Sequence, residues 1–273
     1  MTRSRLIVVA LVTLAIPVVA AAQEQSDGWG GARAFVTLGA GVQARSPNFA
    51  YDYSTMLFDE TARAALDIPG KRGVAFDLAG GVRVVQNLGV GVTFSRYSKE
   101  RLATLSTTIP SPLFFNEPST IERQIPLQRE ENAVHIQAIY KIPIAEKLKV
   151  GVFGGPTYFR CLDDVISQFS LQGDFSPALD WSVDFRNITK TVDRDNVWGF
   201  NGGADVAYLL NRYVGIGTTV RYSRAAHHTV NHFAYTQDLE GDALWGGRAT
   251  ETDGTVNMKH GGLHWNGGIS FRF

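Results

Sequence analysis

Histidine is the residue type whose clustering in this sequence could most directly support metal chemistry. Five of the six histidines come after residue 226, and they are His227, His228, His232, His260 and His264. Clustered imidazoles can bind zinc or copper. No cysteine pair or carboxylate–histidine motif accompanies them, and alternation along a strand would place His227 and His228 on opposite faces. We therefore expect exposed histidines, with no metal site and no cofactor.

Serine and histidine together could support hydrolysis if a hydroxyl lay within hydrogen-bond reach of an imidazole. Ser223 with His227 and Ser95 with His135 are the candidate pairs. Neither pair has a recognisable catalytic arrangement, and we expect His135 to face away from any lipid substrate. The sequence therefore predicts no catalytic residue, and we expect the protein not to be an enzyme.

The other potentially reactive groups are few. Cys161 is the only cysteine, so an internal disulfide is excluded and a free thiol is expected. Asp163 and Asp164 form an isolated acidic pair that we expect to be solvated. The 26 basic and 26 acidic residues of the chain balance, which gives no reason to expect a nucleic-acid partner.

The N-terminus has the pattern of an export signal. Arg3 and Arg5 precede an apolar run from Leu6 to Ile16, and the small residues Ala20-Ala21-Ala22 follow. A basic region, an apolar region and small residues at a cleavage site are typical of a secretory signal peptide. An uncleaved anchor is the alternative, but the run is short beside the ~20 residues of a spanning helix. We expect a signal peptide at 1–22, a short periplasmic segment at 23–31 and one domain at 32–273.

Period-two alternation of apolar and polar residues is the dominant pattern in the rest of the chain, and it predicts strands. It recurs in eight segments, at residues 32–42, 74–84, 88–97, 133–142, 148–159, 197–209, 213–223 and 258–273. Three connections between them are short, and the four others are each about thirty residues or more, which is unusual for a compact soluble domain. The sequence therefore predicts an all-β, eight-stranded antiparallel up-and-down transmembrane barrel with three short periplasmic turns and four long extracellular loops.

Two features leave the strand assignment open. Val165–Leu171 and Leu179–Phe185 also alternate, so they could form a hairpin above the membrane or two further spanning strands, giving ten. Pro156 lacks a ladder donor, so either a bulge lies there or the fifth strand ends near Gly155.

Aromatic residues mark the expected edges of the membrane. Trp198 and Tyr208 lie on one face of the sixth segment, and Trp265 and Phe273 lie on one face of the last. The ten residues from Trp198 to Tyr208 span ~33 Å along a strand, which a tilt of ~40° reduces to ~25 Å, the height of the apolar band of an outer-membrane barrel. We expect these four residues to form the aromatic girdles.

The final strand carries the most specific signal. Its lipid-facing row ends on an aromatic residue and contains Trp265, Gly267, Ile269, Phe271 and Phe273. With the export signal and the alternation of short and long connections, this strand resembles the small OmpA/OmpX/OmpW-like outer-membrane β-barrel family over residues 32–273. The resemblance implies a location in the cell outer membrane and insertion by the outer-membrane assembly machinery, which reads that terminal row. It also implies contact with outer-membrane lipid and lipopolysaccharide. We expect a monomer.

The opposite faces of the strands must then line the barrel interior, which in eight strands is filled by side chains. We expect a lumen polar network that contains Asp77, Arg83, His135, Asp205 and Arg221. Asp77 and Arg221 fall at similar heights when residues are counted from the turns, so an ion pair between them is plausible. A solvated basic rim is expected at the periplasmic mouth from Arg33, Arg83, Lys141, Lys149 and Arg272.

The sequence favours a non-enzymatic outer-membrane protein that acts through its extracellular loops, on a ligand or surface outside the cell. Aromatic residues that could form a contact surface there are Tyr51, Tyr53, Phe114, Phe115, Trp181, Phe233, Tyr235 and Trp245. A narrow, porin-like small-solute channel and a lipid A-modifying enzyme are the alternatives.

Overall fold

The computed structural model describes residues 28–45, 48–57, 59–70, 72–111, 114–175, 181–238 and 250–273. The expected signal peptide, residues 1–22, lies outside these ranges. The strands are β1 Ala34–Arg45, β2 Phe49–Leu57, β3 Glu60–Ile68, β4 Gly73–Val85, β5 Leu88–Ile109, β6 Ser119–Pro143, β7 Leu148–Phe175, β8 Trp181–Leu209, β9 Val214–Asp238 and β10 Thr250–Arg272. No helix in the described ranges is long and apolar enough to cross a membrane.

Eight of these strands close into a ring of antiparallel neighbours, in the order β1, β4, β5, β6, β7, β8, β9, β10 and back to β1. Each residue has a partner on the next strand, and stepping from partner to partner once around the ring shows how far the strands are offset. A path that starts at Ala34 of β1 comes back to β1 at Arg45, the other end of the same strand. Such a stagger requires strands that are tilted from the barrel axis. The predicted eight-stranded antiparallel barrel is confirmed.

The two ends of the barrel differ in length. Three short turns join β4 to β5, β6 to β7 and β8 to β9 at the end that we call proximal. At the other end, which we call distal, the strands run much further than the sequence predicted. The β5–β6 ladder continues to Ile109↔Ser119, and the β7–β8 ladder continues to Phe175↔Trp181. The long connections are therefore largely β-structured.

Two strands lie outside the ring. β2 and β3 form a hairpin, and β3 attaches to the distal part of β5 from Arg63↔Thr108 to Asp67↔Thr104. Of the segments that could have supplied two more spanning strands, Val165–Leu171 belongs to β7 and residues 181–185 belong to β8, so the ring keeps eight. Distally β7 also pairs in parallel with β9, from Gln168↔Ala234 to Gln172↔Asp238. This pairing draws the β7–β8 hairpin across the distal mouth.

Pro156 lies inside β7, which neither ends near Gly155 nor has a bulge at Pro156, so neither alternative left open by the sequence is correct. The ladder between β6 and β7 is interrupted between His135↔Thr157 and Ala138↔Gly154, and its register is the same on both sides. Asn201 Nδ2 donates to the carbonyls of Gly155 (2.9 Å) and Pro156 (3.3 Å). A side chain from β8 therefore replaces part of the missing pairing.

Candidate functional site

The outer wall of the ring is an apolar band. Leu38, Phe76 and Ile136 face outward and are 55%, 60% and 48% exposed. A continuous apolar wall around a closed barrel is the surface of a protein surrounded by lipid. The predicted girdle residues all face outward from this band: Trp198 and Trp265 near its distal edge, Tyr208 and Phe273 near its proximal edge.

The terminal row of β10 faces the same way. Trp265, Ile269, Phe271 and Phe273 are exposed, and Gly267 lies between them on the same face. The strand pairs with β1 and thereby closes the ring. Reading of this row by an assembly machinery stays a prediction.

An ion pair crosses the interior within the band. Arg221 Nη2 lies 3.1 Å from Asp77 and donates to Ser95 Oγ at 2.7 Å. Asn266 Nδ2 also donates to Asp77. β9 and β4 are not neighbours in the ring, so this contact bridges the lumen. Arg221 is 1% exposed, so the pair is buried.

A chain of hydrogen bonds continues from Ser95 to the opposite wall. His135 Nε2 lies 3.0 Å from Ser95 Oγ, and Nδ1 lies 2.8 Å from Thr157 Oγ1. Asn201 Nδ2 donates to Thr157 Oγ1 at 2.9 Å, and Gln137 Nε2 donates to Asn201 Oδ1 at 2.8 Å. We call the set Asp77, Arg221, Ser95, His135, Thr157, Asn201 and Gln137 the lumen network. It extends hydrogen-bonded polar groups across the lumen, and among its buried side-chain atoms Arg221 Nε is left without a hydrogen-bond partner.

Ser95 and His135 are within hydrogen-bond reach, and His135 faces the lumen as expected. Ser95 Oγ accepts from Arg221 Nη2, and the two ring nitrogens of His135 are each within hydrogen-bond distance of a hydroxyl, Nε2 of Ser95 and Nδ1 of Thr157. A threonine occupies the position where a catalytic carboxylate would orient the imidazole. The pair is also buried inside the barrel. The geometry is that of a packed polar core.

The other predicted network residues lie closer to the proximal end. Asp205 Oδ2 accepts from Lys141 Nζ at 2.7 Å. The half-buried Arg83 lies near the end of β4, and its backbone N–H donates to the carbonyl of Arg33 at 2.8 Å. The structure thus places His135 with Asp77 and Arg221, and places Asp205 in a separate pair.

Trp29 closes the proximal mouth. It is 1% exposed, and its Nε1 donates to the carbonyl of Asn87 at 3.1 Å. Arg272 donates to the carbonyl of Trp29. Lys149 and Arg272 are buried here, so the expected solvated basic rim is wrong for these two residues. Sequence reasoning missed Trp29, although a tryptophan directly before the first strand was a visible signal.

A cavity of about 110 Å³ remains between Trp29 and the lumen network. Its walls combine apolar rings, among them Phe35 and Phe153, with the Lys141–Asp205 pair. A space of this size holds a few water molecules.

A second buried charged group lies inside the ring just beyond the distal edge of the band. We call it the charged layer, and it contains Arg101, Arg129, Glu131, Asp163, Asp195 and His260. Arg101 Nη2 lies 3.3 Å and Arg129 Nη1 3.5 Å from Asp163. The expectation that Asp163 is solvated is therefore wrong, because Arg129 lies directly opposite Asp163 in the β6–β7 ladder and Arg101 reaches Asp163 from β5, the next strand. Asp164 faces outward and accepts from the backbone N–H of Gln128.

Burial dominates the acid–base behaviour of this layer. It raises the pKa of Asp163 to about 6, although Arg129 and Arg101 act in the opposite direction. Burial also raises the pKa of the Cys161 thiol well above its usual range, and the Glu131 carboxylate adds to the rise. Cys161 is therefore an unreactive thiol at neutral pH.

An apolar core covers the charged layer. We call it the distal core, and it contains Phe49, Ala64, Ile68, Ala103, Leu105, Ile109, Ile125, Leu127, Ile166, Phe169, Leu171, Val183 and Phe185. The guanidinium groups of Arg101 and Arg129 lie 5.4 and 5.0 Å from the centre of the Phe49 ring. Phe49 therefore anchors the β2–β3 hairpin onto the charged layer through cation–π contacts.

The histidines do not assemble into a metal centre among the described side chains, where no group of three His, Cys, Asp or Glu could hold an ion. His260 is buried, contrary to the expectation that it is exposed, and His264 is buried on the inward face of β10. The side chains of His227, His228 and His232 lie outside the description.

The distal aromatic residues are partly described. Phe114 and Phe115 are exposed at the tip of the β5–β6 hairpin, and Tyr51 packs against the distal core. The side chains of Tyr53, Trp181, Phe233 and Tyr235, and the whole of Trp245, lie outside the description.

No protein-family model and no curated protein matches this chain. Among solved structures, Neisserial surface protein A is 13% identical with a TM-score of 0.39, covering 92% of this chain and 100% of that protein. The outer membrane protein OprG from Pseudomonas aeruginosa is 12% identical with a TM-score of 0.46, covering 89% and 96%. The outer membrane protease OmpT from Escherichia coli is 10% identical with a TM-score of 0.41, covering 89% and 94%. Similarities this low carry no argument about activity, and the fold stands on the strand pairing of this chain.

Proposed function

We propose that this chain is a non-enzymatic integral protein of the bacterial outer membrane, of the OmpA/OmpX/OmpW-like kind, whose distal β-structure is an interaction surface outside the cell. The contrast between a filled barrel and a long, ordered distal end supports this proposal. A barrel that only had to span a bilayer would need strands of ~9–11 residues. β7 and β8 have 28 and 29.

The interior argues against a small-solute channel. Trp29, the lumen network and the charged layer lie one above the other along the axis, and the distal core covers the last of them. Opening a path would separate buried ion pairs, which costs several kcal/mol for each pair. The same filling argues against lipid A modification, because Ser95 and His135 face the lumen.

The tips of two distal hairpins are joined by a hydrogen bond and form a partly apolar surface. The backbone N–H of Asn116 donates to Glu60 Oε1 at 3.1 Å, which links the β5–β6 tip to the β2–β3 tip. Met56, Phe114 and Phe115 are exposed on these tips, at 66%, 46% and 74%. Exposed aromatic and methionine side chains on a rigid support are typical of protein contact surfaces.

Cysteine labelling on intact cells tests the location and orientation. Phe115→Cys places a thiol at a distal tip and Glu146→Cys places one in a proximal turn, while the buried Cys161 leaves a low background. We expect a membrane-impermeant maleimide to label Phe115→Cys on intact cells and Glu146→Cys only after permeabilisation. The reverse pattern, or absence of the protein from the outer-membrane fraction, would contradict the proposal.

Two further measurements separate the alternatives. We expect no steady conductance in planar bilayers, and a stable open level would establish the channel instead. We expect an unchanged lipid A mass spectrum in cells with and without the protein, and a shifted acylation pattern would establish the enzyme.

A further inference from the structure

The linked tips of the β2–β3 and β5–β6 hairpins carry acidic residues beside their exposed apolar side chains. We call Met56, Asp59, Glu60, Phe114, Phe115 and Glu117 the tip patch. Phe115 is 74% exposed, and Asp59 and Glu117 are exposed as well. The segments 56–61 and 109–119 contain the three acidic residues of the tip patch and no basic residue. The tip patch therefore combines a protruding apolar surface with negative charge.

No cation in the described part of the chain neutralises the tip patch. Its three acidic residues form no ion pair with any basic residue in the described ranges. The nearest basic residues along the two hairpins are Arg63 and Arg123, and each is paired with a carboxylate of its own. Arg63 lies 3.5 Å from Asp52, and Arg123 lies 3.0 Å from Asp184. The tip patch therefore presents a net negative charge to an approaching partner.

Hydrogen bonds hold the tip patch in a defined shape. The backbone N–H of Phe114 donates to Ser111 Oγ at 3.2 Å, and the backbone N–H of Asn116 donates to Glu60 Oε1 at 3.1 Å. Beneath the tips, β3 is paired with the distal part of β5. A surface that is already ordered loses little conformational entropy when a partner binds.

We propose that the tip patch binds a cationic segment of another protein, in which lysine or arginine side chains flank an apolar one. The carboxylates attract the basic groups and favour correctly oriented encounters. The exposed phenylalanine rings bury the apolar side chain, and their faces also attract lysine and arginine. An acidic segment or a polyanion would instead meet like charge. This assignment rests on the proposed interaction surface outside the cell, and it adds the chemical class of the partner.

Short fluorescent peptides test the assignment on the purified, folded barrel in phosphatidylcholine nanodiscs. The first peptide alternates lysine and leucine, the second has glutamate in place of lysine, and the third has serine in place of leucine. Fluorescence anisotropy measures binding, and empty nanodiscs give the binding to lipid that is subtracted. We expect the lysine–leucine peptide to bind about tenfold or more tightly than either of the others, and its affinity to fall as salt is added.

Two variants separate the contributions of the rings and of the charges. F114S/F115S should lose about tenfold or more in affinity for the lysine–leucine peptide, because truncation of aromatic contact residues is among the most costly changes at an interface. D59N/E117Q should lose a similar factor and most of the salt dependence. Asparagine tolerates the φ of +60° at position 59, so the turn is kept.

The matched control is E100Q/E122Q, which removes the same charge from exposed positions of the β5–β6 hairpin further from the tip. It should bind like the wild type, and the heat-modifiable gel shift confirms that every variant is folded. Equal loss in the control, or equal binding of the glutamate or the serine peptide, would overturn the assignment. Those results concern the partner alone, because the labelling of Phe115→Cys on intact cells tests the location of the tips independently.

Discussion

Replacement of Arg221 by methionine is the most direct test of the filled interior. Methionine keeps much of the volume and removes the charge, so Asp77 loses the guanidinium 3.1 Å away and keeps the amide of Asn266. Ser95 also loses a donor at 2.7 Å. A buried carboxylate left without its cation is strongly destabilising.

The expected loss of unfolding free energy is ~3–5 kcal/mol, the usual range for breaking one side of a buried pair. The double variant D77N/R221M removes both charges, so it should recover most of that loss. Lys141→Met is the matched control. Its pair with Asp205 is as short, at 2.7 Å, but the two side chains are 14% and 19% exposed beside the cavity. A less deeply buried pair keeps more solvation for the charge that remains, so Lys141→Met should cost less stability than Arg221→Met.

Urea unfolding in lipid vesicles, read from the heat-modifiable gel shift, measures all four proteins. The reasoning is refuted if R221M is no less stable than K141M. It is also refuted if D77N/R221M is as unstable as the single variant, because then the loss arises from packing and not from an unpaired charge.

Three further outcomes follow from the structure. Burial raises the pKa of Asp163 from 3.8 to about 6, so the folded state binds this proton more tightly than the unfolded state. The contribution of this carboxyl to stability should rise by ~2 kcal/mol as pH falls from 7 to 4, and Asp163→Asn should remove that rise in urea titrations. Trp29→Ala should lower the unfolding free energy by ~3–5 kcal/mol because a large buried side chain is lost. The variant should still show no steady conductance in planar bilayers, because the lumen network still crosses the barrel. A stable open level would show that the lumen network does not block ions. Gly261 has a φ of +85°, and a Cβ there would collide with the Ser223 carbonyl. Gly261→Ala should therefore lower the unfolding free energy by ~1–3 kcal/mol in the same assay. Gly267 faces outward into open space, so Gly267→Ala is the control and should change the unfolding free energy little.

The ring could be predicted from the sequence because every strand in the band has the same apolar surroundings on its outer side. Within the band each strand turns apolar side chains outward, as Val92 and Phe94 show on β5, while Thr93 and Ser95 turn inward. The period-two pattern then identifies both the strand and its faces. The pairing of Asp77 with Arg221 could be suggested in the same way, by counting residues from the turns.

The distal extension could not be predicted by that pattern because the two faces exchange character beyond the band, where the apolar side chains point inward. On β5 the inward residues beyond the band include the apolar Ala103, Leu105 and Ile109, and the outward ones are polar except for Leu102. A search for lipid-facing rows stops at the reversal, although the strand continues. The burial of Asp163 was hidden for a related reason, since Arg101 and Arg129 are distant in sequence and meet Asp163 only because β5, β6 and β7 continue to pair beyond the band.

The same reversal determines how deep the barrel lies in a bilayer. A shift of the barrel by one row toward the proximal side would carry Arg96, Arg160 and Arg224 into hydrocarbon. A charge on the lipid face costs up to ~1 kcal/mol near the interface and ~2–4 kcal/mol at the midplane. The free energy needed to move the three arginines therefore grows as they go deeper, and it opposes the shift. A shift the other way would lift Phe273 and Tyr208 out of the proximal interface and expose apolar wall to water. Because the distal core is packed inside the ring and needs no lipid, the long strands add surface outside the membrane without altering that depth.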